Sequence, residues 1–367
     1  MVSGLHVNED DPGAIRVDRA LVEIRRGRAV RVEAGAEAAA DLLGIAVETG
    51  SDAALRGLAA SDGARLVVSA ERAQVLGLGA KAEVARALSL PGSIAPAVLR
   101  RLAGVDPRTE ASPPPTVRDA SPAERAALAL AKLARLVPAM LVCEARAAAV
   151  ALADPLAVGV DDVARYPDAL ATALHRVSEA RVPLAGHADC RLVLYREGPG
   201  AGEHVAVLIG RPRPDAPVAV RMHSACLTGD LLGSLRCDCG EQLQRSVEEI
   251  AAAGGGVLLY LDQEGRGIGL ANKLRAYALQ DAGLDTLEAD RHLGFRADER
   301  TYHVAAAMLR DLGVGRVALL TNNPEKILAL RAEGLEVSSR MPLIAAENPH
   351  NARYLRTKRE RAGHLHE

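Results

Sequence analysis

Short apolar runs alternate with helical patterns throughout residues 186–367, and this alternation constrains the fold more than any other feature. Strands that alternate with helices build a sheet whose faces are covered by those helices. We therefore predict an α/β domain over residues 186–367. The apolar runs lie at 191–195, 204–209, 217–221, 257–261 and 317–322, and the helical patterns lie at 240–253, 268–283, 298–312 and 324–333.

Residues 1–185 have a different character and are rich in Ala and Arg. They predict a helix leading into a short strand over 17–32, a strand at 65–69, a helix at 121–136 and a strand in PAMLVCEA. The helix at 121–136 has a clear start, because Ser, Pro and Glu stand at the N-cap, first-turn and capping-box positions. The Pro-rich stretch 109–121 is interpreted as an exposed loop. The predicted fold class is α/β (α+β) with two domains, 1–185 and 186–367.

Composition excludes several classes of protein. A length of 367 residues suits two domains, and 45 basic against 47 acidic residues argue against a general nucleic-acid binder. Aromatic residues make up 2%, so the core has to be built from Ala, Leu and Val. No stretch reaches the roughly 20 apolar residues of a membrane span, and the acidic N-terminus is no signal peptide. We expect a cytoplasmic protein with no membrane or nucleic-acid partner, whose cysteines are metal ligands or buried thiols rather than disulfides.

Three of the five cysteines lie in one loop with the spacing C-x10-C-x-C: Cys226, Cys237 and Cys239. Three thiolates can hold Zn²⁺ and leave its fourth tetrahedral position open for water, as a catalytic zinc requires. The alternatives are three reduced thiols, or a structural zinc whose fourth ligand lies elsewhere, with His223 as a candidate; the spacing favours the catalytic zinc. The isolated Cys143 is expected to be a small buried side chain, as is Cys190.

Three further motifs place polar groups at turns or helix starts. The run YLDQEGRGIGL (260–270) joins a strand, a Gly-rich turn and a helix; this can form an anion site, but alone it is better explained as a tight turn with an exposed ion pair. In RADERTYH, Asp298 is an N-cap or a general base, and Arg300 can meet a phosphate. In TNNPEK, Thr321 follows a buried strand, and Lys326 opposes a helix dipole and is expected to face an anion. Together with the cysteines, these motifs predict hydrolysis of a phosphorylated, nucleotide-like substrate.

Four runs carry a resemblance to a known family: RMHSACLTGDLLGSLRCDCGEQL, LDQEGRGIGLANKLRAYALQD, TLEADRHLGFRADER and LLTNNPEK. Over roughly residues 186–365 the chain resembles GTP cyclohydrolase II. The resemblance implies hydrolysis of GTP to a diaminopyrimidinone ribosylamino 5′-phosphate, formate and diphosphate, the first step of riboflavin biosynthesis. It also implies one Zn²⁺ per subunit, Mg²⁺ with the triphosphate, and a homodimer.

The resemblance assigns roles to individual residues. The three loop cysteines match the zinc ligands. Asp298 matches the proposed proton acceptor, and Tyr277 matches a tyrosine associated with the deformylating step. Arg300 matches a residue proposed to act on the α-phosphorus, although charge stabilisation suits a permanently protonated guanidinium better. The positions matching GTP-binding residues are Arg221, Met222, His223, Ser224, Ala225, Gln242, Glu264, Gly265, Arg266, Thr286, Thr321 and Lys326.

Two positions depart from the family pattern. Ala225 stands where the family usually has Glu, and Asp262 stands where many members have Arg. Neither is a matched catalytic position, but both leave room for an altered rate or another purine nucleotide. The alternatives to the full reaction are a paralogue that stops at the formylated intermediate, and a nucleotide-binding protein without turnover.

Residues 17–185 resemble the 3,4-dihydroxy-2-butanone 4-phosphate synthase domain that many bacteria fuse to this enzyme. The matching runs are VDRALVEIRRGRAVRVE, ADLLGIAVE, RLVVSAERAQVLGL and AALALAKLARLVPAMLVCEA. The acidic metal-binding loop of that synthase corresponds here to EAGAEAAAD (33–41), and its metal-binding His falls at Ala123. We predict a synthase-like domain without synthase activity that serves dimerisation or supports the other domain. The alternative is an unrelated Ala-rich α/β domain.

Overall fold

The computed structural model describes residues 11–35, 40–78, 84–91, 93–106, 116–148, 154–198, 202–213, 216–344, 348–352, 356 and 365. These residues form two compact units. The N-terminal unit contains the described residues of Asp10–Pro167 and Ile268–Glu299, and the C-terminal unit contains those of Asp168–Gly267 and Arg300–Glu367. Among the described helices, none has both the length and the apolar character needed to cross a bilayer.

Both units contain strands and α-helices, which confirms the α/β fold class. The strands are β1 (Val30–Glu33), β2 (Leu42–Ala46), β3 (Arg65–Val68), β4 (Arg86–Ser89), β5 (Val117–Asp119), β6 (Ala139–Glu144), β7 (Ala157–Gly159), β8 (His175–Arg181), β9 (Cys190–Arg196), β10 (Glu203–Gly210), β11 (Val218–Ser224), β12 (Gly255–Leu261), β13 (Arg316–Leu320) and β14 (Glu336–Met341). The α-helices are α1 (Pro12–Arg25), α2 (Asp52–Ala59), α3 (Ala70–Val75), α4 (Pro96–Ala103), α5 (Pro122–Leu133), α6 (Val160–Thr172), α7 (Cys239–Ala252), α8 (Leu270–Asp281), α9 (Thr286–His292), α10 (His303–Asp311) and α11 (Pro324–Ala332).

The N-terminal unit is built on a sheet with the order β5-β4-β3-β6-β2-β1-β7. Neighbouring strands are antiparallel except β1 and β7, which are parallel. Aliphatic side chains from α2 and α4 pack on the sheet and form a buried cluster. Its members include Ile45, Leu55, Leu66, Leu99 and Leu141, and nearly all of it is Leu, Val, Ile and Ala. The predicted aliphatic core is therefore confirmed here.

Helix α5 begins as predicted. The Ser121 hydroxyl accepts from the Glu124 amide at 3.3 Å, and the Glu124 carboxylate accepts from the Ser121 amide at 2.8 Å. The same carboxylate is fully buried and accepts from Arg65 and Arg118, each at 2.7 Å. Burial would raise the pKa of Glu124, but the hydrogen bonds from Arg118, the Ser121 amide and Arg65 lower it to about 2. The helix start is thus also a buried ion-pair cluster.

Two predicted loops of the N-terminal half are described by the structure only in part. Of the stretch 109–121 interpreted as an exposed loop, residues 109–115 lie outside the described residues. The interpretation is wrong for Val117–Asp119, because β5 pairs with β4 and forms the edge of the sheet. Of the stretch EAGAEAAAD, residues 36–39 lie outside the described residues.

The C-terminal unit is built on a sheet with the order β14-β13-β11-β12-β10-β9-β8. The first four of these strands are parallel, and the remaining three are antiparallel. The chain passes from β11 to its neighbour β12 and then to β13 on the other side of β11. A sheet of this kind binds ligands outside the carboxyl ends of the strands at such a reversal. The loops after β11, β12 and β13 all lie at this edge.

The C-terminal unit differs from expectation at the start of α10 and at β8, and it contains β14, which no apolar run predicted. The helix predicted from residue 298 begins at His303, because Glu299 closes a turn by accepting from the Arg296 amide at 2.9 Å. In addition, β8 pairs with β9, so residues before 186 belong to this sheet. The compact units thus divide the chain differently from the domains 1–185 and 186–367, whose boundary stays a prediction.

Candidate functional site

Three thiols meet in the loop after β11. Their Sγ atoms lie within 4.8 Å of one another, and those of Cys226 and Cys237 are 3.7 Å apart. A tetrahedral zinc with Zn–S bonds of about 2.3 Å separates its thiolates by about 3.8 Å. A disulfide would need about 2.05 Å. The spacing of Cys226, Cys237 and Cys239 therefore fits a shared tetrahedral metal ion such as zinc and not a disulfide, and the identity of the metal stays a prediction.

Gly229 lies directly against the thiols. A Cβ at this position would be 2.8 Å from Sγ of Cys237, 2.9 Å from Cβ of Cys239 and 3.1 Å from Sγ of Cys226. The Gly229 amide also donates to Sγ of Cys226 at 3.4 Å. The loop thus needs glycine here to keep the thiols close, a requirement that the cysteine spacing did not reveal.

Close packing raises the pKa of two of these thiols. Hydrogen bonding with Cys226 is the largest cause for both Cys237 and Cys239, and the pKa of Cys239 is raised further. A divalent cation reverses this preference, because it stabilises each thiolate that binds it. The cluster is therefore suited to bind a metal ion rather than to act as a free nucleophile.

Asp230 binds polar groups from the thiol loop and from the neighbouring strands β11 and β12. Its carboxylate accepts from the Cys226 amide at 2.9 Å, from the Tyr260 hydroxyl at 3.0 Å and from Nε2 of His223 at 3.1 Å. The rings of His223 and Tyr260 stack at 5.6 Å. Burial raises the pKa of Tyr260, and burial lowers that of His223, so the imidazole is neutral near pH 7.

His223 is not part of the cluster of three thiols, the one group of side chains among the described residues that could hold a metal ion. Its Nε2 is directed at Asp230, so the described structure does not place His223 as a fourth ligand of these thiols. Donation from Nε2 leaves Nδ1 as an acceptor, and this buried atom has no hydrogen-bond partner in the described structure. His223 is thus a candidate to bind a donor group of a ligand.

Arg221 lies on β11 and is 7% exposed. Its guanidinium donates to the Leu320 carbonyl at 3.1 Å and to Oε1 of Gln242 at 2.6 Å. Gln242 in turn donates to Asp238 at 2.6 Å. Burial lowers the pKa of Arg221 to about 10, which still leaves it charged at neutral pH. The two predicted residues Arg221 and Gln242 are therefore in direct contact.

Glu264 connects the Gly-rich turn after β12 to the thiol loop. Its carboxylate accepts from the Leu227 amide at 2.7 Å and from the Gly265 amide at 2.9 Å. Gly265 and Arg266 both adopt left-handed backbone conformations, with φ of 64° and 61°. For Arg266 this conformation costs roughly 1–2 kcal/mol. A non-glycine residue held in this strained turn is typical of a functional site.

The loop after β13 contributes Thr321 and Lys326, both buried. The Thr321 hydroxyl accepts from the Asn323 amide at 3.0 Å. Nζ of Lys326 donates to the Met222 carbonyl on β11 at 2.8 Å. The Met222 carbonyl is thus a protein partner of the Lys326 ammonium group. The expected contact of this ammonium group with an anion stays a prediction.

Arg300 lies at the carboxyl end of β11. Its guanidinium is 3.5 Å from the Ser224 hydroxyl and lies over the Tyr302 ring at 5.9 Å.

The two positions that depart from the family pattern are held by hydrogen bonds of their backbone amides. The Ala225 amide donates to the Leu261 carbonyl at 2.8 Å. The other departure, Asp262, donates through its amide to His204 at 3.0 Å.

Three predicted site residues belong to the N-terminal unit. Tyr277 lies on α8, where the Lys273 ammonium is 5.8 Å from its ring centre. Thr286 is buried at the start of α9, and Asp298 follows that helix in an irregular segment. The other predicted residues belong to the C-terminal unit, at or near the carboxyl ends of β11, β12 and β13.

Sequence reasoning missed Gly229, Asp230 and Tyr260. The signal for the first two was present in the run CLTGD, where a glycine and a carboxylate follow the first cysteine of the cluster. Their roles depend on contacts across the loop, which spacing alone does not reveal.

Comparisons with known proteins agree with the resemblance seen in the sequence. The family described as GTP cyclohydrolase II matches residues 175–342. A GTP cyclohydrolase-2 from Azospirillum brasilense is 46% identical over 97% of this chain and 95% of its own length. Another from Xylella fastidiosa (strain Temecula1) is 41% identical over 95% of this chain and 87% of its own length. A shorter GTP cyclohydrolase-2 from Escherichia coli O9:H4 is 51% identical over 52% of this chain and 97% of its own length.

A solved two-domain 3,4-dihydroxy-2-butanone 4-phosphate synthase from A. baumannii is 17% identical and covers 90% of this chain and 100% of its own. Its TM-score is 0.31, so this likeness carries no argument about the N-terminal half. The identity to full-length relatives, in contrast, extends over nearly the entire sequence. The chain therefore belongs to the GTP cyclohydrolase II family, a family of hydrolases.

Proposed function

We propose that this chain hydrolyses GTP in a zinc-dependent reaction to a diaminopyrimidinone ribosylamino 5′-phosphate, formate and diphosphate, as the first step of riboflavin biosynthesis. The proposal includes Mg²⁺ with the triphosphate and a homodimer, both of which rest on the family resemblance. Its main support is the thiol cluster, whose 3.7 Å separation of Sγ atoms fits tetrahedral zinc.

The three thiols suit a catalytic rather than a structural metal ion, because three protein ligands leave a fourth coordination position open. Three thiolates from Cys226, Cys237 and Cys239 would hold Zn²⁺, which supplies an activated water at its open position. Asp230 holds the amide of Cys226 and thereby fixes the first ligand. Residues that orient metal ligands in this way commonly affect metal affinity by about 10-fold to 100-fold.

Cations at the carboxyl edge of the sheet suit a triphosphate. Arg221, Arg300 and Lys326 lie on or beside β11, and Arg266 lies in the turn after β12. Guanidinium groups bind phosphate oxygens with two parallel hydrogen bonds. We assign these side chains to the triphosphate, with Arg300 stabilising the charge of the departing diphosphate.

The remaining roles concern the base and the protons. Neutral His223 offers Nδ1 as an acceptor to a donor group of the guanine ring. Asp298 is assigned as proton acceptor, and Tyr277 is assigned to the deformylating step, both by family resemblance. Thr286 is assigned to GTP binding by the same resemblance.

The test is to incubate zinc-loaded protein with GTP and Mg²⁺ and to measure formate and diphosphate together. Equal amounts of both products support the full reaction. Diphosphate without formate would instead identify a paralogue that stops at the formylated intermediate. Neither product, with zinc bound, would refute GTP hydrolysis and favour another purine nucleotide or a binding role.

A pair of variants tests the metal role. Cys237→Ser should lose zinc and all opening of the base, because a catalytic zinc site needs three protein ligands and this variant keeps two of the proposed ones. Cys190→Ser is the matched control, since Cys190 is a buried thiol outside the cluster in the same unit. Full activity of zinc-free Cys237→Ser would contradict the proposal.

A further inference from the structure

The segment Ile268–Glu299 carries three of the predicted site residues but packs within the N-terminal unit. It contains α8 and α9, which share a small buried apolar cluster. In sequence it is joined to the Gly-rich turn at Gly267 and to Arg300 at its other end. The position of this segment therefore determines where Tyr277, Thr286 and Asp298 lie.

The first anchor of this segment lies on α8. The fully buried Asn272 donates to the Arg135 carbonyl at 3.0 Å. Arg135 itself has a left-handed backbone with φ of 59°. Arg275 donates to Asn272 at 2.7 Å and to Glu48 at 2.9 Å, and Glu48 also accepts from the Val137 amide at 2.7 Å. Arg135 and Glu48 of the N-terminal half thus bind the side chains of Asn272 and Arg275 on α8.

The second anchor is Arg72, which is 3% exposed. Its guanidinium donates to the carbonyls of Leu102 at 2.9 Å, Arg101 at 2.7 Å and His292 at 2.8 Å. These carbonyls lie at the C-terminal ends of α4 and α9, where the helix dipoles favour a cation. One side chain from the N-terminal half therefore joins the end of α9 to the end of α4.

The third anchor is Lys132 on α5. Its ammonium donates to Oε1 of Glu299 at 2.6 Å, while Arg296 donates to Oε2 at 2.8 Å. The Glu299 side chain is only 9% exposed and that of Lys132 is 26% exposed, so the carboxylate of this pair is largely shielded from solvent. Glu299 stands directly between Asp298 and Arg300 in the chain.

We propose that the N-terminal half is a positioning unit for the hydrolytic reaction, in which Lys132 and Arg72 hold the segment Ile268–Glu299 and so set the position of Asp298. This inference rests on the proposed function. Displacement of a reacting group by about 1 Å can cost about 100-fold in rate, so a remote anchor of this kind affects turnover. Lys132 and Arg72 act through the segment and are positioning residues, not catalytic ones.

The experiment compares Lys132→Met, Lys132→Arg and Arg56→Met in the full chain. Lys132→Met keeps the length of the side chain and removes its charge, and Lys132→Arg restores the charge. Arg56→Met is the matched control, because Arg56 pairs with Asp52 on the exposed surface of α2. Steady-state turnover of GTP, zinc content and thermal midpoint are measured for each.

We expect Lys132→Met to lower kcat by about 10-fold to 100-fold with little change in KM and with zinc retained. Lys132→Arg should recover most of kcat, and Arg56→Met should match the parent protein. A purely structural role would lower the thermal midpoint but leave kcat per folded molecule unchanged. A kcat of Lys132→Met within twofold of the parent would overturn the inference.

Amide hydrogen exchange supplies a readout that does not depend on turnover. The inference requires faster exchange over residues 286–299 in Lys132→Met than in Arg56→Met, and equal exchange would overturn it. Absence of turnover in the parent protein would refute the proposed function. An active parent with unaffected Lys132→Met would refute only the positioning role.

Discussion

Replacement of Gly229 by alanine tests how closely the thiol cluster is fitted to a metal. The added Cβ would lie 2.8 Å from Sγ of Cys237. Non-bonded heavy atoms are in comfortable contact at about 3.5 Å or more, so this sulfur has to move by roughly 0.7 Å. Metal–ligand distances tolerate only about 0.2 Å. We therefore expect zinc affinity to fall at least about 100-fold, or about 2.7 kcal/mol.

The assay is an equilibrium competition for zinc against a chromogenic chelator, with the thermal midpoint recorded in parallel. Gly315→Ala is the matched control, because a Cβ there has no atom within 4 Å and Gly315 has no positive φ. Gly229 also has no positive φ, so its substitution acts by contact and not by backbone strain. Zinc affinity of Gly229→Ala within threefold of the parent would refute the reasoning.

Two further predictions concern charge. Glu124 has its pKa lowered to about 2 from a usual 4.5, so its ion pairs stabilise the fold above pH 4.5 and lose that contribution as pH falls toward 2. Glu124→Gln should therefore lower the free energy of unfolding at neutral pH by about 2–3 kcal/mol, a value reduced to allow for the half-exposed Arg118. The variant should also lose less stability than the parent protein as pH falls from 4.5 toward 2 in a series of denaturation experiments. An equal loss of stability in both proteins would contradict this. Arg300→Ala should retain zinc but lose at least about 100-fold in kcat, because a cation that stabilises the departing charge is removed; near-normal kinetics would exclude Arg300 from the mechanism.

Local patterns predicted those features that depend on neighbouring residues. The start of α5 followed from its N-cap, proline and capping-box glutamate, all within four positions. The grouping of Cys226, Cys237 and Cys239 followed from the spacing of cysteines in a single loop. The strands β9 to β13 followed from runs of apolar residues, although β13 ends at Leu320 rather than residue 322.

Features that depend on distant residues were not predictable in the same way. Asp230 is fixed by groups from β11 and β12, and Lys326 finds a backbone carbonyl more than one hundred positions away. The packing of Ile268–Glu299 depends on Arg72, whose partners are carbonyl oxygens that every residue possesses. Hydrogen bonds to the backbone leave no pattern of residue types, so a sequence does not reveal them.

The contact between Glu264 and the Leu227 amide has a thermodynamic consequence. Leu227 directly follows Cys226, a proposed zinc ligand, and Glu264 opens the turn that we assign to the nucleotide. Order in one loop therefore favours order in the other. Linkage requires such an effect to be mutual, so zinc should tighten GTP binding by the same factor by which GTP tightens zinc. The proposed metal would then be an effector of substrate affinity as well as a source of reactive water.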